Sequence, residues 1–475
     1  MRQERSHTKV IATLGPASSN IEVLRLMFNE GIDVCRLNFS HGSHEVHLEN
    51  ILKIRELNKE LDLNVAILVD LQGPKLRIGY IENNGVLLVD GTEFSLVTET
   101  CIGTAEKAYM SYELLPVDAV PGETILIDDG KIKLEVIYTN GIDKVITRVI
   151  HGGILSSMKG VNLPHTKVSL PSLTKKDLED VEFALDHDVD WIALSFVRNA
   201  KDLADLKDII SKRNKNTRII AKIEKPEALD DLKAIIESAD GIMIARGDLG
   251  VEVDFEQVPL IQKDILAKCI LLSKPVIVAT QMMESMILNF RPTRAEANDV
   301  ANAVIDGADT LMLSGETAIG KYPVEVINSM QRIIDWTESN GYNYYRDHPP
   351  KEYNTTFLPD SICYNACMMA KQTNAKAIVI FTNSGYTAFR IASYRPEANI
   401  FAFTMNRDLL PVLSLVWGVR AFHSPGHDNI SDYINHSIEF LISKDLIKPG
   451  SVIVHAGSIP LLERGRTNML KLSYI

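Results

Sequence analysis

Short apolar, β-branched runs recur along the first two-thirds of this chain, and each ends abruptly in polar or charged residues. The runs fall at 10–14, 34–39, 65–71, 191–196, 218–223, 241–245, 275–280 and 310–314. Their length and composition predict buried β-strands. Between them, segments such as 20–29, 45–59, 175–186, 200–214 and 226–238 place apolar residues every three to four positions, the helical period. Most strand-to-strand spacings suit a strand–helix unit with parallel strands. Eight such units predict a (β/α)₈ TIM barrel.

One spacing breaks the rule. About 120 residues separate the third run from the fourth. Here the pattern turns to alternating short runs (86–89, 93–97, 124–127, 131–138, 144–149) punctuated by Asn84-Gly85, Asp90-Gly91, Pro121-Gly122, Asp129-Gly130 and Asn140-Gly141, all turn signals. An inserted all-β domain is expected, with hinges near Gly73-Pro74 and within 160–171. Beyond about Asn340 a polar, aromatic and Pro-containing linker leads to a helix over 361–371 and strands at 377–381, 399–403, 419–423 and 452–455, a separate α/β domain. The expected division is barrel 1–73, insert 74–165, barrel 166–342 and C-terminal domain 343–475.

Composition narrows the class. With 475 residues the chain needs several cores, and 45% hydrophobic with 24% charged residues is ordinary for a soluble globular protein. A net charge of −12 argues against nucleic-acid or anionic-membrane partners. No apolar run reaches the ~18 residues that span a bilayer, and the stretch 1–9 is polar, without the apolar core of a secretory signal. Five cysteines, an odd number in mostly apolar contexts, read as reduced thiols of a cytoplasmic protein.

In a barrel of this kind the chemistry sits at the C-terminal ends of the strands. The third strand ends at Asp70. The fifth delivers Lys222 and Glu224, two residues apart and so on one face. The sixth ends in Arg246-Gly247-Asp248, the seventh in Thr280-Gln281, the eighth in Ser314-Gly315-Glu316-Thr317. A buried ion pair or a polar turn would explain any one fragment, but not a set of them at one end of a barrel. Glu224 and Asp248 can share a hard divalent cation. Arg36 offers a fork for phosphate or carboxylate, and Thr280 a hydroxyl near a reacting carbon. Phosphate binding, a metal and a lysine at the transferring group are the parts of phosphoryl transfer. A Walker A motif is absent. His41, His44 and His47 have metal-like spacing, yet histidines at a helix start are ordinarily just polar.

The segments 8–18 (TKVIATLGPAS), 36–44 (RLNFSHGSH), 70–77 (DLQGPKLR), 159–164 (KGVNLP), 222–226 (KIEKP), 243–252 (MIARGDLGVE), 279–286 (ATQMMESM), 292–303 (PTRAEANDVANA) and 313–318 (LSGETA) closely resemble the pyruvate kinase family, in family order. The resemblance implies transfer of phosphate from phosphoenolpyruvate to ADP, giving pyruvate and ATP. It implies Arg36 and Lys222 as the phosphate-binding and transition-state cations, and Glu224 and Asp248 as ligands of Mg²⁺ or Mn²⁺. Gly247, Asp248 and Thr280 would contact the phosphoenolpyruvate carboxylate region. Asn38, Phe39, Ser40, His41, Arg77 and Lys159 would contact nucleotide and cation. The insert would be a lid that excludes water. Potassium-dependent members usually carry a Thr after the third-strand Asp and a Glu four residues further on. Here those positions are Leu71 and Lys75, as in the potassium-independent subgroup, so K⁺ is expected not to be required, with the Lys75 ammonium in its place. Asn38, Ser40, Asp70 and Leu71 mark where a monovalent cation would otherwise sit. In the C-terminal domain, Thr382-Asn383-Ser384-Gly385-Tyr386-Thr387 matches the family's effector-phosphate loop, and a phosphorylated activator and a homotetramer are expected. A Mg²⁺-dependent pyruvate-enolate aldolase or lyase on the same barrel is the rival; it would need neither the lid nor segment 36–44.

Overall fold

The computed structural model describes residues 6–164, 166–426, 429–459 and 467–475. Eight parallel strands close into a barrel: Lys9–Thr13, Val34–Asn38, Ala66–Asp70, Trp191–Leu194, Arg218–Ile223, Gly241–Ala245, Val276–Ala279 and Thr310–Leu313. Their order around the barrel is their order along the chain, and the first closes on the eighth with Lys9 opposite Thr310. Most of these strand residues are buried, because helices cover the outside while side chains fill the inside. The connecting helices begin where the sequence supplies caps. Thr174 and Asp177 form one capping box, Thr293 and Glu296 another.

Between the third and fourth barrel strands lies the β-insert. Its main sheet has six strands, and a two-stranded ribbon pairs Val86–Leu88 with Gly153–Leu155. The insert buries its own core of residues such as Phe94, Met110, Leu134 and Val145. Chain entry is fixed at Gly73, at φ 67°, whose N–H donates to Asp177 Oδ1 at 3.0 Å. A Cβ there would meet the Phe196 ring at 2.7 Å, so glycine is required on both counts.

The C-terminal sheet orders its strands Val419–His423, Asn399–Thr404, Ala377–Phe381, Val452–Gly457 and Met469–Tyr474, the last antiparallel. It packs against the N-terminal end of the barrel through one continuous apolar cluster that joins Trp191, Ile220 and Met312 to Leu415 and Trp417. Arg395 seals the junction with a buried ion pair to Asp309 at 2.8 Å.

Several expectations shift. The fourth barrel strand stops at Leu194, and Ser195 and Phe196 turn away, Phe196 at φ 56°. The helix expected over 226–238 divides into Glu227–Asp230 and Leu232–Ser238 at Asp231, whose carboxylate accepts from the Ala200 N–H at 2.8 Å. The expected linker is not loose throughout. Tyr342 and Tyr344 pack around Trp417, and the following helix starts at Phe357. The edge strand Met469–Tyr474 was not anticipated.

Candidate active site

The polar strand ends meet at the C-terminal mouth of the barrel. Lys222 is at their centre. Its ammonium lies 2.8 Å from Glu224 Oε1 and 3.2 Å from Asp70 Oδ1, and donates to Ser195 Oγ at 2.7 Å. Ser195 in turn donates to the Leu71 carbonyl. Burial works against the charge of Lys222, but the Asp70 and Glu224 carboxylates outweigh it and hold the ammonium protonated, above the ordinary lysine value. Asp70 also takes Arg36, through Nε at 2.8 Å and Nη2 at 2.7 Å, while Arg36 Nη1 donates to Thr13 Oγ1 at 3.0 Å. Burial opposes ionisation of Asp70, yet Lys222 and Arg36 keep its carboxyl below the usual range.

Glu224 behaves in the opposite way. Burial first, and then the charge of Asp248, push its carboxyl above the usual range against the pull of Lys222. Its second oxygen accepts from the Phe196 N–H at 2.8 Å. Asp248 lies in the first turn of the short helix Arg246–Glu252. The Gly247 N–H of that turn donates to Thr280 Oγ1 at 2.8 Å. Thr280 and Gln281 both have positive φ, 68° and 54°, so the seventh strand ends in strained backbone that presents this hydroxyl. Arg246 locks the corner by donating to the Thr280 carbonyl at 2.7 Å and to Asp299 at 2.8 Å.

A cationic rim borders this pocket. His41 is held below its ordinary value by partial burial and then by Lys75, Arg77 and Arg36. Lys159 pairs with Asp128 at 2.9 Å, and Arg77 donates to the Met158 carbonyl at 3.0 Å. Three of the residues expected to contact nucleotide or cation also have partners within the protein. Phe39 is buried and stacks on His47 with ring centroids 4.0 Å apart. Leu71 is buried and its carbonyl is already engaged by Ser195. Asn38 Oδ1 accepts from the Ser40 N–H at 3.1 Å. His44 bonds Asp180 and His47 bonds the His41 carbonyl, and among the described residues no group of three or more His, Cys, Asp or Glu is placed to hold a metal.

The loop 382–387 opens onto a cavity of about 1080 Å³ that the barrel also lines. The Gly385 N–H donates to Thr382 Oγ1, and Gly385 has φ 86°. Asn383 and Ser384 are exposed, Tyr386 OH reaches Asp360, and Thr387 is turned inward onto Thr467. Arg218, the first residue of the fifth barrel strand, donates to the Ser384 carbonyl at 3.1 Å.

Sequence reading missed Ser195, Asn162 and the Lys225–Glu252 pair. Ser195 stands at the end of an expected strand, where position alone was the signal. Asn162 becomes visible only when the insert folds back onto the barrel, and the Lys225–Glu252 pair only when the fifth and sixth strands lie side by side.

A (β/α)₈ barrel with a buried lysine between two carboxylates, a β-insert above it and a cationic rim defines an enzyme of phosphoryl-group transfer. The models for the pyruvate kinase barrel domain and the pyruvate kinase alpha/beta domain match residues 5–327 and 360–473, and the chain belongs to the pyruvate kinase family. It is 42% identical over 474 residues to a pyruvate kinase of Geobacillus stearothermophilus, covering 98% of this chain and 80% of that protein. A pyruvate kinase of Staphylococcus saprophyticus is 41% identical with the same coverage. The crystal structure of a pyruvate kinase from Cryptosporidium parvum superposes with a TM-score of 0.92 at 35% identity, covering 99% of this chain and 96% of that one. The chain is thus a phosphotransferase that moves the phosphoryl group of phosphoenolpyruvate to ADP, and its family works with a divalent metal. Among the described residues no helix is long and apolar enough to cross a membrane.

Proposed function

We propose that Lys222 and Arg36 neutralise charge on the transferring phosphoryl group, with Glu224 and Asp248 holding Mg²⁺. The observation that carries this is the Lys222 ammonium fixed between Asp70, Glu224 and Ser195 beside a like-charged Glu224–Asp248 pair. The Glu224 carboxyl is raised first by burial and then by the Asp248 charge, and a bound divalent cation would offset both. Mg²⁺ is commonly held by only one or two carboxylates, the remainder being water and substrate oxygen, so two acidic residues suffice. When bound, the ion supplies electrostatic stabilisation of the phosphate and enolate oxygens. Lys222 stabilises the same developing charge from the protein side. Gly247 and Thr280 orient the substrate carboxylate region, with Thr280 on the face where the enolate is protonated. His41, Ser40, Arg77 and Lys159 receive the nucleotide, and the insert 74–165 closes as a lid. A coupled assay with phosphoenolpyruvate, ADP and Mg²⁺ tests the assignment. In Glu224→Gln and Asp248→Asn the Mg²⁺ concentration for half-maximal rate rises; an unchanged titration in both removes them from the metal site.

We also propose that the cavity at 382–387 takes a phosphorylated activator. Supporting this are the exposed hydroxyl loop at a helix start and the bond from Arg218, which ties that loop to the strand bearing Lys222. Screening sugar phosphates and AMP should find an activator, and Ser384→Asp should abolish its effect while turnover at saturating phosphoenolpyruvate survives. Finding no activator of the wild type would end the proposal. A homotetramer is proposed from the family likeness and from Phe255 and Leu260, apolar side chains largely exposed on the barrel. The five free cysteines, four of them buried, fit a reducing cytoplasm.

A further inference from the structure

We infer that Asn162, Glu252 and Lys225 form a catch that holds the inserted domain closed over the active site. Glu252 is only 3% exposed and is the last residue of the helix Arg246–Glu252, which also carries Asp248. Its Oε1 accepts from Lys225 Nζ at 2.8 Å and from Asn162 Nδ2 at 2.8 Å. Lys225 directly follows Glu224 in the chain. Asn162 ends the two-residue strand Val161–Asn162, on the return path of the insert. One buried carboxylate therefore ties the insert to both segments that bear the proposed metal-holding acids.

The bonding of Glu252 gives the catch its direction. Its second oxygen is buried and finds no hydrogen-bond partner among the described residues. Half of its acceptor capacity is already unmet, so losing the Asn162 donor leaves a buried carboxylate served by Lys225 alone. Such a loss is costly, because hydrogen bonds to charged groups are worth more than neutral ones and buried orphans cost more still. In the arrangement that the structure shows, the contact joins the return end of the insert, within the expected hinge 160–171, to the barrel. In this reading it favours that arrangement as the closed one, next to Glu224 and Asp248, where water has to be kept from the phosphoryl group. Asn162 and Glu252 are positioning residues in this reading; neither is assigned contact with substrate. The inference rests on the lid role proposed above.

The test compares wild type, Asn162→Ala and Asn162→Asp by steady-state kinetics, by the ratio of pyruvate to ATP formed, and by amide hydrogen exchange at the hinge 73–77. Deleting a hydrogen bond to a buried charge should lower kcat about tenfold in Asn162→Ala. The KM for phosphoenolpyruvate and the unfolding temperature should stay near wild type. Water then competes for the phosphoryl group, so phosphoenolpyruvate plus water gives pyruvate and inorganic phosphate, and the pyruvate-to-ATP ratio rises above one. In Asn162→Asp a second carboxylate faces Glu252, and both effects should be larger. Hinge amides should be protected by substrates and Mg²⁺ in the wild type and lose that protection in the variants. If the wild type shows the protection and both variants keep it with a ratio of one, the catch is refuted while the lid stands. If the wild type shows no substrate-dependent protection, the lid reading fails and the catch fails with it.

Discussion

Lys222 carries the strongest residue-level expectation. It is buried, yet the Asp70 and Glu224 carboxylates keep it charged, so in the proposed role its ammonium is preorganised for negative charge that builds on the phosphoryl and enolate oxygens. Lys222→Met should lower kcat by on the order of 10²-fold or more, the scale for one preorganised electrostatic group. Arg36 remains, so phosphoenolpyruvate binding should change little. A kcat within a few-fold of wild type, measured at saturating Mg²⁺, would show that the charge is dispensable. This residue and Glu224 were legible in the sequence, because a strand two residues from its end rarely turns from apolar to charged without a reason. Ser195 was not, since a hydroxyl at a strand end is chemically unremarkable until its partner is placed beside it. Backbone strain at Phe196, Thr280 and Gln281 was equally hidden, because none of these residue types announces positive φ.

Among elements, the strand Val452–Gly457 makes stability depend on pH. His455 lies at its centre, fully buried, with neither ring nitrogen hydrogen-bonded among the described residues. Burial, and then Lys471 directly across on the antiparallel edge strand, push its imidazole down to about 4. The unfolded chain takes up the proton near pH 6.5. Between those values the unfolded state binds more protons, so the His455 contribution is complete above about pH 6.5 and is lost as pH falls toward 4. His348, partly buried and near Arg390, is depressed to about 4 and acts in the same direction. The unfolding temperature should therefore fall on acidification through this window, and His455→Leu, which keeps apolar bulk and binds no proton, should make that fall shallower. Parallel pH profiles for the two proteins would exonerate the residue. Strand existence here was readable from the apolar run. The pairing with 469–474 was not, because that edge strand alternates with charge and its identity depends on a neighbour distant in sequence.

At the scale of the whole molecule, the order of barrel, insert and C-terminal domain was readable because hydrophobic periodicity changes at each border. The contacts between these parts were not, since Arg218 on Ser384 and Asn162 on Glu252 join positions 166 and 90 residues apart. Lys75 lies at such a border, beside the Gly73 hinge, and a Cβ on Gly160 would come within 3.8 Å of its Cε. Its charge reaches His41 across the mouth of the site. The oxygens that would otherwise receive K⁺ already have partners, Asp70 in Arg36 and Lys222, the Leu71 carbonyl in Ser195 and Asn38 in the Ser40 N–H, but each keeps lone-pair capacity for a cation. A fixed ammonium can then supply the positive charge without a bound ion. The wild type should run at near-full rate in buffer free of sodium and potassium, with a bulky organic counter-ion. Lys75→Glu exchanges that cation for an anion near phosphate, where repulsion is poorly screened once the lid excludes water, and the rate should fall. Added K⁺ should restore part of it, and Leu71→Thr, by adding a hydroxyl ligand, should extend the recovery. A wild type that needs K⁺ for most of its activity would refute the substitution of ion by side chain, because the Lys75 charge would then be present and insufficient.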